Sequence, residues 1–546
     1  MGDPSRPRVA AIGLDSGDWR FIKNMLAEGR LPNFARIRER SAECELVSTG
    51  AYRTTLIWEA FLTGKFDPDD PRGSGVGFDP SRYRPYKIAA GNAAPFYSRF
   101  SDIDAIAFDV PHLSLGGAGQ DVRICTWGTH SLSHPRASNV PGLLKEIERA
   151  FGPHPAFGHE HLYAWHRPDF ADSLVSRLKT GSERRVAVAG WLQQRFPDWR
   201  LFLTVMSESH SAGESFGEVL GTDHPLSDLP IAALHRERLR DVYAMLDTAV
   251  GRFADGLPPG TILVVFALDG TEPTGGELAS TVLLPELLHR LTFGQPLLRD
   301  PDQAAWRRAP RALVPALSES WEEYMRSRFG EGGARRLWRH LMDDRDAIEE
   351  RLAAWHARFA PGRWSKPIHS PIGWQVASWY RLNWPRMRMF ALPTFVDGCL
   401  RINLRGRERH GRVEPADYDR VCDEIEAMLR ACRDPRTDGG VVAEFNRPRA
   451  RHPLAADGPD ADLVVQWSHA VDALQHPTAG LIGPFPFRRA GAHSERGFAL
   501  FSGPGITRAA LGERHFLDLP ATILRLLGHE AADLGGRPVL EFAGAR

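Results

Sequence analysis

The sequence lacks a net charge and is poor in lysine. Its 546 residues include 68 Lys and Arg against 68 Asp and Glu, so the formal charge is zero. A protein built mainly to hold a nucleic-acid backbone normally carries a basic excess, and the balance argues against that class. Only six of the basic residues are lysine. Arginine suits bidentate binding of oxyanions, although codon bias in a GC-rich genome is the simpler explanation.

Cysteine and long apolar runs are also scarce. The five cysteines are scattered with no CxxC pair, which excludes a disulfide framework and a zinc ribbon and is typical of a reducing compartment. No run of about 18 apolar residues occurs, and no apolar signal segment precedes the first predicted strand. We therefore expect a soluble, cytoplasmic protein that binds neither a membrane nor a nucleic-acid polymer. No pattern indicates an oligomeric state.

What the sequence does contain is an alternation of strand and helix patterns. Short apolar runs typical of buried strands lie at Val9–Leu14, 103–110, Leu201–Met206, 261–268, 462–466 and 498–502. Helical spacing of apolar residues lies between several of them, at 142–151, 184–195, 234–253 and 283–291. This alternation predicts an α/β fold with a largely parallel central sheet and helices on both faces.

The amino-acid composition of the chain changes near residue 273. Eight of the 15 tryptophans fall between 273 and 395, among many arginines. We interpret 273–395 as an insertion or cap over a pocket, with an ordinary helical elaboration as an equal alternative. The predicted core then consists of 1–272 as its first part and 396–546 as its second.

A pair of threonines is the first candidate for a catalytic group in the sequence. Thr54 and Thr55 precede a predicted helix, where free backbone N–H groups favour an oxyanion. A threonine hydroxyl there is a candidate nucleophile if a metal or a base lowers its pKa. Taken alone, the pair is better explained as a plain helix N-cap.

The threonines belong to an ordered series of motifs that runs through the whole chain. The series consists of Asp15 after the first strand, Leu31-Pro32-Asn33-Phe34, Thr54 with Trp58 and Thr63-Gly64, the stretch 207–214 with Asp223-His224-Pro225, the stretch 266–270, the stretch 283–288, Gly491-Ala492-His493 and the stretch 517–524. In this order the motifs closely resemble the alkaline phosphatase superfamily, in particular its type I phosphodiesterase/nucleotide pyrophosphatase branch.

The resemblance implies a site with two metal ions beside a nucleophile. Asp15 matches a ligand of the first ion, Thr54 the nucleophile that also binds that ion, and His493 the late histidine of the second ion. The tryptophan at position 58 sets this register, which leaves Thr55 as the alternative nucleophile. The implied cofactor is one or two divalent ions, zinc first, with manganese or iron as alternatives.

Four positions depart from the family pattern. His210 and Glu214 stand where an aspartate and a histidine are expected, and Leu268 and Asp269 stand where an Asp-His pair is expected. Leu268 cannot bind a metal, whereas the other three residues keep side chains that can. His210 and Glu214, four residues apart on a helical turn, face the same side. With His493 they would form a two-His, one-carboxylate set, while Asp15, Thr54 and Asp269 would hold a second, weaker ion or none.

The sequence therefore predicts a metal-dependent hydrolase or transferase with Thr54 as its nucleophile. Its expected substrate is a phosphate diester, a phosphonate or a sulfate ester of a small molecule. Arg53, His224, Arg401 and Arg407 are candidates for substrate binding, each with a structural ion pair as the alternative, and His112, His130 and His134 are weaker candidates for the pocket. Two other functions stay open: non-hydrolytic metal chemistry in a biosynthetic pathway, and a non-catalytic binding protein.

Overall fold

The computed structural model describes residues 7–88, 91–117, 120–128, 136–159, 163–329 and 372–540. Its strands in chain order are β1 Val9–Leu14, β2 Ala42–Val47, β3 Val76–Asp79, β4 Arg84–Lys87, β5 Ala105–Phe108, β6 Val122–Cys125, β7 Ala137–Ser138, β8 Leu201–Met206, β9 Ile262–Ala267, β10 Gly270–Pro273, β11 Met389–Leu392, β12 Gly398–Ile402, β13 Val442–Asn446, β14 Leu463–Trp467, β15 Leu474–His476, β16 Gly480–Ile482, β17 Gly491–Ser494, β18 Arg496–Ser502 and β19 Ala509–His515.

The helices lie between these strands. In chain order they are α1 Trp19–Ala27, α2 Pro32–Arg38, α3 Ile57–Thr63, α4 Leu143–Phe151, α5 Pro168–Arg195, α6 Glu208–Phe216, α7 Ala232–Asp255, α8 Leu284–Phe293, α9 Gln303–Arg308, α10 Trp321–Arg328, α11 Val376–Trp379, α12 Tyr418–Arg430 and α13 Asp518–Leu526. No helix within these described ranges combines the length and the apolar character that a membrane span requires.

A central sheet organises the first and last parts of the chain. Its nine described strands run in the order β19-β2-β18-β9-β1-β8-β5-β6-β7. The strands from β9 to β6 are parallel, β7 pairs antiparallel with β6, and β18 pairs antiparallel with both β2 and β9. The predicted α/β architecture with a largely parallel sheet is confirmed.

The strand β1 is an unbroken apolar run because the sheet is covered on both of its faces at this strand. All six of its residues are buried. Ala10, Ile12 and Leu14 pack into the apolar cluster on one face, which includes residues of α5 and α7. Val9 and Ala11 pack into the cluster on the other face, which includes residues of α3 and α13. Alternation of side chains along a strand requires this division.

A second sheet and its own core occupy much of the chain between 273 and 490. The strands β11, β12, β14 and β13 form an antiparallel sheet that packs with α8 and α12. The predicted boundary at 395 falls between β11 and β12, which pair with each other. Trp338, Trp355 and Trp364, with the rest of 330–371, lie outside the described residues, so the division of the chain into core and cap stays a prediction.

Two predicted helices differ from those observed. The pattern at 184–195 is the carboxyl-terminal part of α5, which begins at Pro168. Proline is favoured in the first turn of a helix, and it marks this start. The helix predicted after the threonine pair begins at Ile57, with Leu56 as its N-cap. Thr54 is instead the residue that ends a short 3₁₀ turn over Ala51–Arg53.

Candidate functional site

The site lies at the carboxyl ends of three adjacent parallel strands. Leu14 of β1 pairs with Met206 of β8, and Gly13 pairs with Phe266 of β9. Asp15 follows β1, the helix α6 with His210 and Glu214 follows β8, and Leu268-Asp269 follows β9. The carboxyl edge of a parallel sheet is where α/β proteins place ligands, so the topology brings these residues to one edge.

His493 reaches the same edge from β17. This strand pairs antiparallel with β10, and His493 lies opposite Thr271. The Nδ1 atom of His493 is 2.7 Å from Asp269 Oδ2 and 2.9 Å from Ser16 Oγ. Burial opposes the charged imidazole, but the contact with the Asp269 carboxylate outweighs it and raises the pKa of His493.

Ser16 joins the two histidines, a role that the sequence analysis missed. Its Oγ atom is 3.2 Å from His210 Nδ1, and the two imidazole rings are 4.8 Å apart between centroids. His210 Nδ1 is also 3.5 Å from Asp15 Oδ2. Ser16 has a φ of 54°, a left-handed conformation that is unusual for a residue with a side chain. No signal in the sequence beyond its place after Asp15 indicates this bridge.

Trp58 and Ser209 position Asp15. The indole Nε1 donates a hydrogen bond of 2.7 Å to Asp15 Oδ1. The Ser209 hydroxyl donates to the Asp15 carbonyl at 2.7 Å. The tryptophan four residues after Thr54 thus ties the threonine segment to the end of β1.

The Thr54 hydroxyl is bonded to the backbone on both sides. It donates to the Ala51 carbonyl at 2.8 Å and accepts from the Leu56 N–H at 3.1 Å. The Thr55 hydroxyl donates to the Arg72 carbonyl at 3.2 Å. The expectation that Thr54 begins a helix is wrong, because the chain turns once more before α3. Its nucleophilic role stays a prediction.

Glu214 binds a buried arginine, whereas the resemblance implies that it binds a metal ion together with two imidazoles. Arg489 donates through Nη1 to Glu214 and through Nε to Glu277. The same Glu214 oxygen is 3.5 Å from His210 Nε2. Arg489 is only 9% exposed and lies four residues before His493. The sequence analysis missed it, because nothing in the local sequence distinguishes it from the many other arginines.

The backbones of α6 and β17 are in direct contact. The Ala490 N–H donates to the Glu214 carbonyl at 2.9 Å. A Cβ atom on Gly491 would lie 2.1 Å from the Gly213 carbonyl oxygen and 2.9 Å from the Gly217 Cα, so only glycine fits there. This close approach holds the helix of His210 and Glu214 against the strand of His493.

A cavity of about 440 Å³ opens beside this cluster. Among its charged and imidazole-bearing lining residues are Arg53, His224, Arg489 and His493. Arg53 forms an ion pair of 2.5 Å with Asp397, and His224 accepts the Leu226 N–H on Nδ1 at 3.1 Å. Burial lowers the pKa of His224 to about 4, so this imidazole is neutral at pH 7.

The other predicted pocket residues lie elsewhere. Arg401 and Arg407 line no part of this cavity; both bind Glu408, and Arg407 also binds Asp462 at 2.6 Å. Their charges are neutralised in this buried network, and their role in substrate binding stays a prediction. His112 is not among the lining residues. His130 and His134 lie outside the described residues.

The metal set that the resemblance implies is not formed. No group of three or more His, Cys, Asp and Glu side chains in the described part of the chain is arranged to hold a metal ion. Leu268 is fully buried in an apolar cluster, and Glu214 is bound to a guanidinium. A divalent ion on Glu214 would lie within about 5 Å of that guanidinium, where repulsion is on the order of 7 kcal/mol at an effective dielectric constant of about 20.

Three buried atoms of the site could face a cation: Asp15 Oδ2 and His210 Nε2, which lie 3.5 Å from His210 Nδ1 and from Glu214 Oε1 respectively, and Asp269 Oδ1. Asp269 Oδ1 is buried and has no hydrogen-bond partner among the described residues. A single such oxygen is one ligand, whereas a zinc site takes three or four from the protein. The residues as placed therefore do not fit the predicted His210, Glu214 and His493 set, nor the second set of Asp15, Thr54 and Asp269.

Solved structures with a similar course of the chain include two kinds of protein. The phosphonoacetate hydrolase of Sinorhizobium meliloti in complex with phosphonoacetate has 12% identity and a TM-score of 0.41, over 96% of this chain and 95% of that one. Human ectonucleotide pyrophosphatase/phosphodiesterase 5 has 11% identity and a TM-score of 0.44, over 97% of both chains. Each match spans nearly the whole chain. No protein-family model and no curated protein matches the sequence.

The second of these proteins bears the name of the branch that the motifs resemble. At such identities and TM-scores the likeness concerns the course of the chain and assigns no reaction. The chemistry therefore depends on the site itself, which consists of two imidazoles joined by a serine, two carboxylates near their Nδ1 atoms, and a buried arginine at the cavity wall.

Proposed function

We propose that this protein hydrolyses an oxyanion ester of a small molecule, namely a phosphate diester, a phosphonate or a sulfate ester. The observation that supports this function is the convergence of His210, His493, Asp15 and Asp269 at one strand edge beside a cavity. A cavity of about 440 Å³ has the size of a small-molecule site. Arginines in its wall suit an oxyanion.

In this proposal His493 transfers the proton that the departing alcohol needs. The Asp269 carboxylate at 2.7 Å orients its imidazole, and the ring lines the cavity. A histidine held in this way is a suitable general acid or base, and it would donate the proton that the departing alcohol needs. No step of the proposal passes through a metal ion, since the residues do not fit one.

Thr54 is the proposed nucleophile. It directly follows Tyr52 and Arg53, which both line the cavity. Its oxygen would form a bond to phosphorus or sulfur as the bond to the leaving oxygen breaks, and water would later release the acid. The hydroxyl must first exchange its hydrogen bond to the Ala51 carbonyl for one to His493, which would take the Thr54 proton and pass it to the departing alcohol.

Turnover of chromogenic esters tests this function. The panel is bis(p-nitrophenyl) phosphate, p-nitrophenyl phenylphosphonate and p-nitrophenyl sulfate, each assayed with EDTA and with added zinc. We expect turnover of at least one ester in EDTA and a loss of roughly 100-fold or more in Thr54→Ala, because removing a nucleophile removes the covalent route. Thr63→Ala is the matched control, since its hydroxyl bonds only backbone groups, namely the carbonyls of Glu59, Ala60 and Lys65 and the Lys65 N–H.

Two results would contradict the proposal. The first is an unchanged rate in Thr54→Ala, and a loss in Thr55→Ala alone would transfer the role to Thr55. The second is the absence of turnover for every ester although the protein is folded and binds phosphate.

The second result would support a non-catalytic binding protein. This candidate is favoured by the Thr54 hydroxyl, which is satisfied by backbone partners, and by Leu268, which is packed in the core. The remaining expectation, non-hydrolytic metal chemistry, needs the set of His210, Glu214 and His493, which is not formed.

A further inference from the structure

A buried guanidinium binds the carboxylate that the sequence predicts as a metal ligand. Arg489 contacts Glu214 through Nη1 and Glu277 through Nε. Both carboxylates are largely buried, with side-chain exposures of 15% and 6%. Charge-assisted hydrogen bonds of this kind, between an arginine and two carboxylates, are among the strongest in proteins.

We propose that Arg489 is the resident cation of this pocket. It takes the place of a divalent ion at Glu214, and it binds the oxyanion of the ligand directly. The inference deepens the proposed function and rests on it, because it names the group that would hold the phosphate, phosphonate or sulfate. It does not require turnover.

The donors of Arg489 support the second part of the proposal. A guanidinium has five N–H donors, and the two carboxylates are reached through Nε and Nη1. Nη2 makes no hydrogen bond to a described residue, and Arg489 lines the cavity together with His493. Donors therefore remain for an oxyanion beside the imidazole that Asp269 orients.

Burial explains why a metal would not displace this arginine. If a divalent ion bound Glu214, the guanidinium would lose one of its two carboxylates inside the protein. An unpaired buried charge is strongly unfavourable. Arg488 adds to the barrier, because its Nη1 is 3.7 Å from Glu277 and its guanidinium lies 3.5 Å from the ring centre of Tyr163. Two guanidinium groups thus share the carboxylate of Glu277.

Measurements on the wild-type chain decide the proposal without any variant. The protein is equilibrated with excess Zn²⁺, desalted and analysed for metal, and binding of inorganic phosphate is measured by calorimetry in EDTA. We expect well below one Zn²⁺ per chain together with saturable phosphate binding. One retained Zn²⁺ per chain with phosphate binding that disappears in EDTA would overturn the proposal, as would the absence of phosphate binding under both conditions.

Substitutions at Arg489 then locate the binding group. Arg489→Gln should weaken phosphate binding by roughly tenfold or more, because a charge-assisted hydrogen bond is lost. It should also gain about one Zn²⁺ per chain, since Glu214 is released to bind metal together with His210 and His493. Arg489→Lys keeps the charge, so it should still exclude zinc. Arg496→Gln is the matched control, with phosphate binding within about twofold of the wild type, because the Arg496 side chain is 59% exposed and is not among the lining residues.

Circular dichroism shows whether Arg489→Gln folds. If it does not, Arg489→Lys and the wild-type measurements still test the inference. Phosphate binding of equal strength in wild type, Arg489→Lys and Arg489→Gln would contradict it. Failure of the proposed hydrolysis is recognised separately, because it leaves phosphate binding and metal content as expected while every ester stays intact.

Discussion

Two buried arginine clusters in this protein have similar ion pairs but differ in the guanidinium N–H donors that remain for a ligand. In the first, Arg489 binds Glu214 and Glu277 at the cavity wall. In the second, Arg407 binds Glu408 and Asp462 beneath β12. Each pairs one guanidinium with two carboxylates, so a count of ion pairs would not distinguish them.

The difference is in the remaining donors. Arg407 also donates to the carbonyls of Pro453 and Ile402, at 2.8 and 2.7 Å, and each of its three nitrogens has a protein partner. Arg489 has a nitrogen without a described partner and an open cavity beside it. A saturated buried cation holds the fold together, whereas an unsaturated one at a cavity is available to a ligand.

The largest loss of stability is expected when the cluster around Arg407 is disrupted. Arg407→Gln leaves the buried Asp462 without its guanidinium and leaves Glu408 with Arg401 alone, so the free energy of unfolding should fall by about 3–5 kcal/mol. Denaturant titration measures the loss. Arg405→Gln on the same segment is the control, because the Arg405 side chain is 63% exposed and its pairing with Glu414 should contribute less than about 1 kcal/mol. Equal losses in the two variants would remove the distinction between the clusters.

A smaller effect is expected from a neutral imidazole at the cavity wall. The pKa of His224 is lowered to about 4 by burial, so below pH 6.5 the unfolded chain binds a proton that the folded chain does not. Stability should therefore fall as the pH drops from about 6.5 to about 4, and His224 should contribute up to about 3 kcal/mol of that loss.

His224→Asn removes this contribution and keeps an acceptor for the Leu226 N–H. Melting curves from pH 7 to pH 4 should show a shallower decline than in the wild type, with little change at pH 7. His452→Asn, at an exposed position, should follow the wild-type curve. A variant curve parallel to that of the wild type would show that His224 does not titrate as a buried group.

The smallest effect concerns backbone strain at Ser16. Both Ser16→Ala and Ser16→Gly remove the hydroxyl between His210 and His493, but only glycine adopts a φ of 54° without a steric cost. We expect the glycine variant to be about 1 kcal/mol more stable than the alanine variant. Thermal unfolding of the pair measures this difference, and a more stable alanine variant would contradict the assignment of strain.

Local pattern was enough to predict the elements that position the site. Val9–Leu14 and Leu201–Met206 are strands with the predicted bounds, because an unbroken apolar run of six residues fits a strand buried on both faces. The order of the motifs likewise predicts that Asp15, Thr54, His210, Glu214, Asp269 and His493 lie at one site. The structure brings His210 to Asp15 and Glu214, and His493 to Asp269, whereas the segment of Thr54 is tied to Asp15 through Trp58.

The rest depends on contacts between distant parts of the chain. Arg401 and Arg489 are both buried arginines paired with carboxylates, and only the fold shows that the second one borders the cavity. The N-cap of α3 is Leu56, one or two residues after the predicted Thr55 or Thr54, since Thr54 bonds its own turn rather than the helix. The sequence shows that position 214 keeps a carboxylate able to bind a metal ion. It does not show that the guanidinium of Arg489, 275 residues further along the chain, binds this carboxylate.

The glycine contact between Gly491 and Gly213 has a consequence for how new reactivity could arise in this protein. Main-chain atoms, not side chains, set the separation of α6 and β17, so the backbone spacing of positions 210, 214 and 493 does not depend on which side chains stand there. Exchanging a single amino acid can then alter the chemistry while the spacing survives. A rigid frame of this kind makes the pocket a promising host for designed catalysts.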